Sequence, residues 1–248
     1  MHEIAESPAA AGLWRRLTWR LVTLMWLWLL ATLVGVAFRG ITDPGTTAFM
    51  QQRLLYLRDH GEPRARIDYH WVDYADMAPA MHLAVVASED QDFPWHHGFD
   101  WVAIDAALHH NRVSHRIRGA STISQQTAKN LYLWPGRSYF RKAVEAYFTV
   151  LLETEWPKER ILEMYLNIAQ FDSNVFGVGA AARHLFNKIP AQLTSEEAAL
   201  LAAALPAPDR FDVMDPSTYL RRRQTWIAGQ MAMLGSGYLD DIEARAHR

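Results

Sequence analysis

The sequence predicts a mainly α-helical globular domain carried behind one membrane-spanning helix. Three observations lead there. Leu21 to Phe38, LVTLMWLWLLATLVGVAF, runs for 18 residues without a charge, long enough to cross a bilayer. Downstream of Ala48, apolar residues recur at helical spacing, and Ser, Thr, Pro and Gly punctuate these segments where helices start and stop. One stretch alone, IDYHWVDY (Ile67 to Tyr74), holds a short strand pattern.

Arg15, Arg16 and Arg20 precede the apolar run and Arg39 follows it. This excess of basic residues on one flank puts the N-terminus in the cytoplasm and the remainder of the chain outside it. Trp14 and Trp19 suit the headgroup level. A cleaved signal peptide is the competing reading, but the run exceeds a typical apolar h-region and no A-x-A-like site follows. The expected division is a cytoplasmic tail over 1–16, a transmembrane helix over 17–39, a linker and entry region over 40–74, a globular domain over 75–235 and a tail over 236–248.

The elements follow in order. GITDPGTT (40–47) reads as linker, and AFMQQRLLYLR (48–58) as an amphipathic helix. MHLAVVA (81–87) is apolar enough to be buried, and two acids, Glu89 and Asp90, stand just beyond it. If that segment is helical, acids at its C-terminal end oppose the helix dipole. Trp101 to His110 has helical spacing. Ser121 or Ser124 is the expected cap of a helix through Leu133, and Tyr139 to Trp156 continues as helix. Pro157 suits a first helical position, followed by KERILEMYLNIAQF. Thr194 and Glu197 form a capping-box pattern before AALLAAAL (198–205), which Pro206 ends. Asp215-Pro216 opens a last long helix that Gly235 stops.

Composition alone excludes little. The 248 residues are half hydrophobic, which provides a substantial core, and the net charge is −2. There is no Cys, so disulfides and thiolate metal sites are ruled out. Local charge says more. Over Ala106 to Val144 there is no acid, against Arg112, Arg116, Arg118, Lys129, Arg137, Arg141 and Lys142, so the remainder of the chain carries −9. A cationic block of this kind points to an anionic partner, the plainer alternative being a solvated helix face. Within it lies GASTISQQ (119–126), whose Gly, Ser and Gln at a helix start offer donors for phosphate oxygens, or else form an ordinary cap. Nucleic acid is not the expected anion, since no module signature occurs and the domain lies outside the cytoplasm. A phosphate ester embedded in the membrane fits better.

Glu89 and Glu145 bracket the block, and two carboxylates beside a cationic groove suggest glycosyl chemistry. Burial after the apolar run should raise the Glu89 carboxyl and make it a better base. Glu145 lies four residues after Arg141, so an i,i+4 ion pair is its plain alternative. His96 and His97 have acids nearby, but no HExxH-like spacing supports a dedicated metal site, and a His bonded to a neighbouring backbone or carboxylate group is expected instead. Neither GxSxG nor a P-loop occurs.

With these residues in view, the chain resembles the peptidoglycan glycosyltransferases. EDQDFPWHHGFD matches their first motif, E-D-x-x-F-x-x-H-x-G-x-D, through Glu89, Asp90, Phe93, His96, Gly98 and Asp100. RGASTISQQTAKNLYL resembles the second, RKAVE the third, KERILEMYLN the fourth and FGVGAAARHLF the fifth, in family order over roughly residues 75–235. No transpeptidase domain follows, so the expectation is the monofunctional type of the Gram-negative inner membrane.

The resemblance implies a lysozyme-like α-helical fold and the polymerisation of lipid II. The growing chain on undecaprenyl diphosphate is the donor, and the GlcNAc 4-hydroxyl of lipid II attacks MurNAc C1 with inversion. It implies that Glu89 is the general base and Glu145 the second essential carboxylate. It also places Ser121, Gln126, Lys129, Asn130, Arg137 and Lys142 around the diphosphate or donor sugars. Asp90, Phe93 and His96 support the loop. Glu145 would orient Lys142 and Arg141, help hold a divalent cation (Mg or Mn) at the diphosphate, or assist departure. No organic cofactor is implied. LYLWPG (131–136) would contribute to a membrane-dipping surface or to the core. The expected partners are lipid II, the lipid-linked glycan, the inner membrane and other cell-wall synthesis or division proteins. Some members carry a Lys just before the third-motif Glu; here Val144 stands there, so a role needing that cation does not carry over. The rival readings are a lytic lysozyme-like enzyme acting on finished glycan and a catalytically inert membrane scaffold.

Overall fold

A computed structural model of the chain describes residues 8–114, 119–136 and 138–242. The chain divides into two units at Thr42/Asp43. The first contains α1 (Pro8–Gly40). Its stretch Trp14–Gly40 has 27 residues and a mean hydropathy of 2.2, about 40 Å of helix at the usual rise. Trp14, Trp19, Trp26 and Trp28 are all exposed, as suits a helix solvated by lipid rather than packed in a core. It is consistent with a membrane anchor. The helix is longer than the expected 17–39, because no breaker stands between Pro8 and Arg39.

The second unit is mainly α-helical. α2 (Ala48–Asp59) starts at Thr47, whose side chain accepts from the Met50 N–H at 3.2 Å. The strand expected in 67–74 shrinks to β1 (Asp68–Tyr69), paired parallel with β2 (Val175–Phe176) in the register Asp68–Val175 and Tyr69–Phe176. Beyond it the backbone pairs with a side chain instead: Asn167 accepts from the Val72 N–H at 2.9 Å and donates to the Val72 carbonyl at 2.8 Å. α3 (Pro79–Glu89) begins on a proline and buries Met81, Ala84, Val85, Val86 and Ala87. α4 (Trp101–Val113) is capped by Asp100.

α5 (Ile123–Tyr132) is capped by Thr122, not by Ser121 or Ser124. The Thr122 hydroxyl accepts from the Gln125 N–H at 3.2 Å, and the Gln125 side chain accepts from the Thr122 N–H at 3.1 Å. This reciprocal pair satisfies two donors, one of which a Ser cap without the Gln would leave open. α6 (Tyr139–Glu155) follows Ser138. α7 (Lys158–Ile168) begins one residue after Pro157, which occupies the cap itself. α8 (Gly177–Phe186) was not legible as a separate helix. α9 (Ser195–Ala204) has the expected Thr194–Glu197 capping box. α10 (Thr218–Leu234) is capped by Ser217 rather than opened by Asp215-Pro216.

Two packed groups result. α3 lies against α9 and α10, and α5 lies against α6 and α7. α9 is apolar on every side, with Ala198 to Ala204 all buried, and its small residues let neighbours approach closely. Gly177 shows the same demand. Its φ is +79°, and a Cβ there would lie 2.5 Å from the Asn167 carbonyl oxygen, so no other residue fits.

Candidate active site

Glu89 is the last residue of α3, and Asp90 turns the chain out of the helix. The Asp90 carboxylate is buried and accepts from the Ile123 N–H at 2.9 Å and from His96 Nε2 at 2.9 and 3.0 Å. On the other ring nitrogen, His96 Nδ1 accepts from the Gly98 N–H at 3.0 Å. The two bonds together define the tautomer. Gly98 has φ +88°, and its carbonyl accepts from the Thr122 hydroxyl at 2.7 Å. The loop after α3 is thereby tied to the start of α5.

For two backbone donors of GASTISQQ that tie favours the ordinary cap over a place for phosphate oxygens: the Ile123 N–H serves Asp90 and the Gln125 N–H serves Thr122. Ser124 is buried and donates to Glu153, which also accepts from Lys158 at 2.8 Å.

The α5 side chains do reach the carboxylate. Gln126 Nε2 donates to Glu89 Oε2 at 2.9 Å, and the buried Tyr165 hydroxyl of α7 donates to Gln126 Oε1 at 3.4 Å. Arg223 of α10 stands 3.8 Å from Glu89 Oε1. Burial pushes the Glu89 carboxyl above its ordinary value, against the Gln126 hydrogen bond and the charges of Arg223 and Lys129, while Asp90 adds to the rise. A raised carboxyl in this place suits proton transfer near neutral pH.

Two clefts meet at this pair. One of about 680 Å³ is lined by Glu89, Ser121, Gln126, Arg223 and Trp226. The other, about 490 Å³, is lined by Gln126, Lys129, Asn130, Tyr165 and Arg210. Gln126 belongs to both, so the Glu89–Gln126 pair stands at their junction. Glu145 is buried on α6, bonded to Lys142 with Arg141 at 3.6 Å. The i,i+4 pair with Arg141 therefore exists, but away from the surface. Burial pushes the Lys129 ammonium below its usual value, Glu145 opposes this most strongly, and Arg141 and Lys142 add to the depression. Lys129 thus feels both carboxylates, since Glu89 acts on it as well. Arg137, like Arg116 and Arg118, lies outside the described residues.

The donor set does not fit a metal by itself. Among the described residues no group of three or more His, Asp or Glu could hold an ion, and Glu145 faces two cations. Within LYLWPG, Leu131 and Leu133 are buried, while Trp134 is exposed, its ring centroid 6.2 Å from that of the exposed Phe140.

Sequence reasoning missed Arg223, Trp226 and the role of Tyr165. A signal for Arg223 was present. Leu220, Ile227 and Met231 form the buried face of α10, and Arg223 falls three residues after Leu220 and four before Ile227. A charge on an inward-facing helical position is out of pattern.

Comparison with known proteins gives a consistent result. Residues 59–232 match the family model described as Transglycosylase. A "biosynthetic peptidoglycan transglycosylase" of Pasteurella multocida is 49% identical over 94% of this chain and 94% of its own. The protein of that name from Aeromonas hydrophila is 47% identical over 95% and 97%. That from Xanthomonas euvesicatoria is 46% identical over 93% and 92%.

Proposed function

Because the chain belongs to the transglycosylase family, as a peptidoglycan glycosyltransferase of mainly α, lysozyme-like fold, we propose that it polymerises lipid II into β-1,4-linked glycan. One observation carries the chemical reading: a buried carboxylate, Glu89, at the junction of two clefts, held through one oxygen by Gln126. The other oxygen, Oε1, accepts no hydrogen bond among the described residues and is available for a hydroxyl proton.

The GlcNAc 4-hydroxyl of lipid II gives its proton to Glu89, and its oxygen attacks C1 of the donor's terminal MurNAc. The C1–O bond to phosphate breaks, and undecaprenyl diphosphate leaves with the electron pair. The α-linkage is replaced by a β-linkage. A diphosphate leaves readily, so it calls for charge stabilisation more than for a proton donor. Lys129 and Asn130 in the second cleft, with Lys142 nearby, suit the donor diphosphate, and Ser121 and Gln126 suit sugar hydroxyls; the resemblance adds Arg137. Glu145 acts by holding Lys142 and Arg141. A divalent cation, Mg or Mn, would come with the diphosphate oxygens.

The apolar α1 supports a single-pass protein of the bacterial inner membrane, with its N-terminus in the cytoplasm, its domain in the periplasm and its substrate in the same bilayer. Other cell-wall synthesis or division proteins are further partners of such an enzyme. The test is polymerisation of purified lipid II by the wild type and by Glu89→Gln, with a divalent cation present. Long glycan from the wild type and none from a folded variant is expected. Equal polymer from both removes Glu89 from the mechanism, and lysis of sacculi without polymer reassigns the enzyme to finished glycan.

A further inference from the structure

We propose that Arg223 is a positioning residue for this reaction: its guanidinium is the counter-charge that keeps the Glu89 carboxylate ionised and ready to take the acceptor's proton. The inference rests on the reading of Glu89 as the base and adds a residue outside the five sequence motifs.

The placement is specific. Arg223 occupies the inward face of α10 between Leu220 and Ile227, where packing alone calls for an apolar residue. Its side chain is 26% exposed and that of Glu89 is 14% exposed, so solvent screens the pair only in part. Its Nε is buried without a hydrogen-bond partner among the described residues, and it lines the Glu89 cleft together with Trp226. The distance of 3.8 Å to Glu89 Oε1 is too long for a hydrogen bond but short for a Coulombic contact. That combination has a chemical use. A hydrogen-bonded cation would occupy the lone pair that must receive the proton, whereas a cation standing off stabilises the anion and leaves the oxygen open.

The other groups around Glu89 leave a need for this charge. From α5 come Gln126, which is neutral, and Lys129, whose charge is shared with Glu145. From α7 comes Tyr165, which burial holds as a neutral phenol. Asp90, on the adjoining loop, works against ionisation. Burial raises the carboxyl and so favours its protonated form, and a protonated base cannot start the reaction.

The test uses the full chain in detergent micelles as wild type, Arg223→Gln, Arg223→Met and Arg223→Lys. Met retains the aliphatic stem if Gln does not fold. Two quantities are read: the pH profile of kcat/KM for lipid II polymerisation, and the titration midpoint of the Glu89 carboxyl 13C resonance, identified by its loss in Glu89→Gln. Removing a neighbouring positive charge raises a carboxyl, so the acid limb moves to higher pH in the neutral variants. A displacement of about one unit is expected, equivalent to about a tenfold loss below the limb that closes above it. The Lys variant keeps the wild-type limb, and the 13C midpoint moves with the kinetics. A loss equal at every pH with an unmoved midpoint overturns the proposal, making Arg223 a substrate contact or a packing residue. Wild-type behaviour of the neutral variants overturns it too. If the wild type makes no glycan at any pH, the proposed function falls, while the midpoint still decides the part played by Arg223.

Discussion

Replacing Asp90 by Asn tests whether the loop after α3 is held by the carboxylate. Asp90 Oδ2 accepts from the Ile123 N–H at 2.9 Å and from His96 at 3.0 Å, and Oδ1 accepts from His96 at 2.9 Å. Its side chain is 2% exposed. Asn retains one carbonyl oxygen. If that oxygen faces Ile123, the new amide N–H₂ meets His96 Nε2, donor against donor. Moving the imidazole proton to Nδ1 relieves this clash but breaks the bond from the Gly98 N–H. Either way one hydrogen bond is lost and the charge assistance of the other disappears. Bonds to charged groups contribute about 1.5–3 kcal/mol each, so a cost of roughly 2–4 kcal/mol is expected. In a domain of this size that lowers Tm by about 5–12 °C. The assay is thermal unfolding in detergent by circular dichroism at neutral pH, with Asp92→Asn, an exposed carboxylate two residues on, as the control within about 2 °C. Polymerisation should fall with Asp90→Asn, since Glu89 adjoins the freed loop. A Tm within about 2 °C of wild type would refute the reasoning. So would a full additional cost of His96→Ala in the Asp90→Asn background, because partners in one network should not add.

The remaining expectations concern stability. Burial holds the folded-state carboxyl of Glu89 above its ordinary value of 4.5. A raised carboxyl contributes stability below the unfolded value and loses it as pH rises through the folded one. Above the ordinary value the wild type therefore loses stability that a neutral side chain keeps, so Glu89→Gln should melt higher at pH 7, with the gap closing as pH falls towards about 4.5; a variant melting lower at pH 7 contradicts this. Gly177→Ala would force a Cβ to 2.5 Å from a backbone oxygen at φ +79°, and a loss of roughly 2–4 kcal/mol in denaturant unfolding is expected. A cost below about 1 kcal/mol would mean that the turn between β2 and α8 relaxes freely.

What could be read in one dimension was what depends on local chemistry. The Thr194–Glu197 box is a spacing of three, and it formed as written. The α5 cap was misplaced by one or two residues because Ser121, Thr122 and Ser124 are all competent. The choice of Thr122 was made by a Gln three residues on and by the Gly98 carbonyl, which comes from another loop. The strand in 67–74 was overextended because alternation cannot reveal that Asn167, far along the chain, takes the place of a partner strand. Glu89, Gln126 and Lys129 were reached through motifs, and the structure brings all three together. Tyr165 and Arg223 approach the same carboxylate from α7 and α10, and only packing brings those helices there.

The two carboxylates show how one residue type is given different work. Glu89 ends a helix whose preceding residues are buried and apolar. One of its oxygens is fixed by a neutral amide, and its closest cation stays 3.8 Å away. Glu145 sits within α6, where residues three and four positions earlier share its face, and those residues are Lys142 and Arg141. Lys142 is bonded to one of its oxygens, and Arg141 stands 3.6 Å from the other. An acid so engaged is an anchor, and in the proposed reaction the cations it holds are fixed in place for an anionic leaving group. Val144, one position before Glu145 on the helix, does not share its face, so the arrangement with Lys142 and Arg141 does not depend on a cation there.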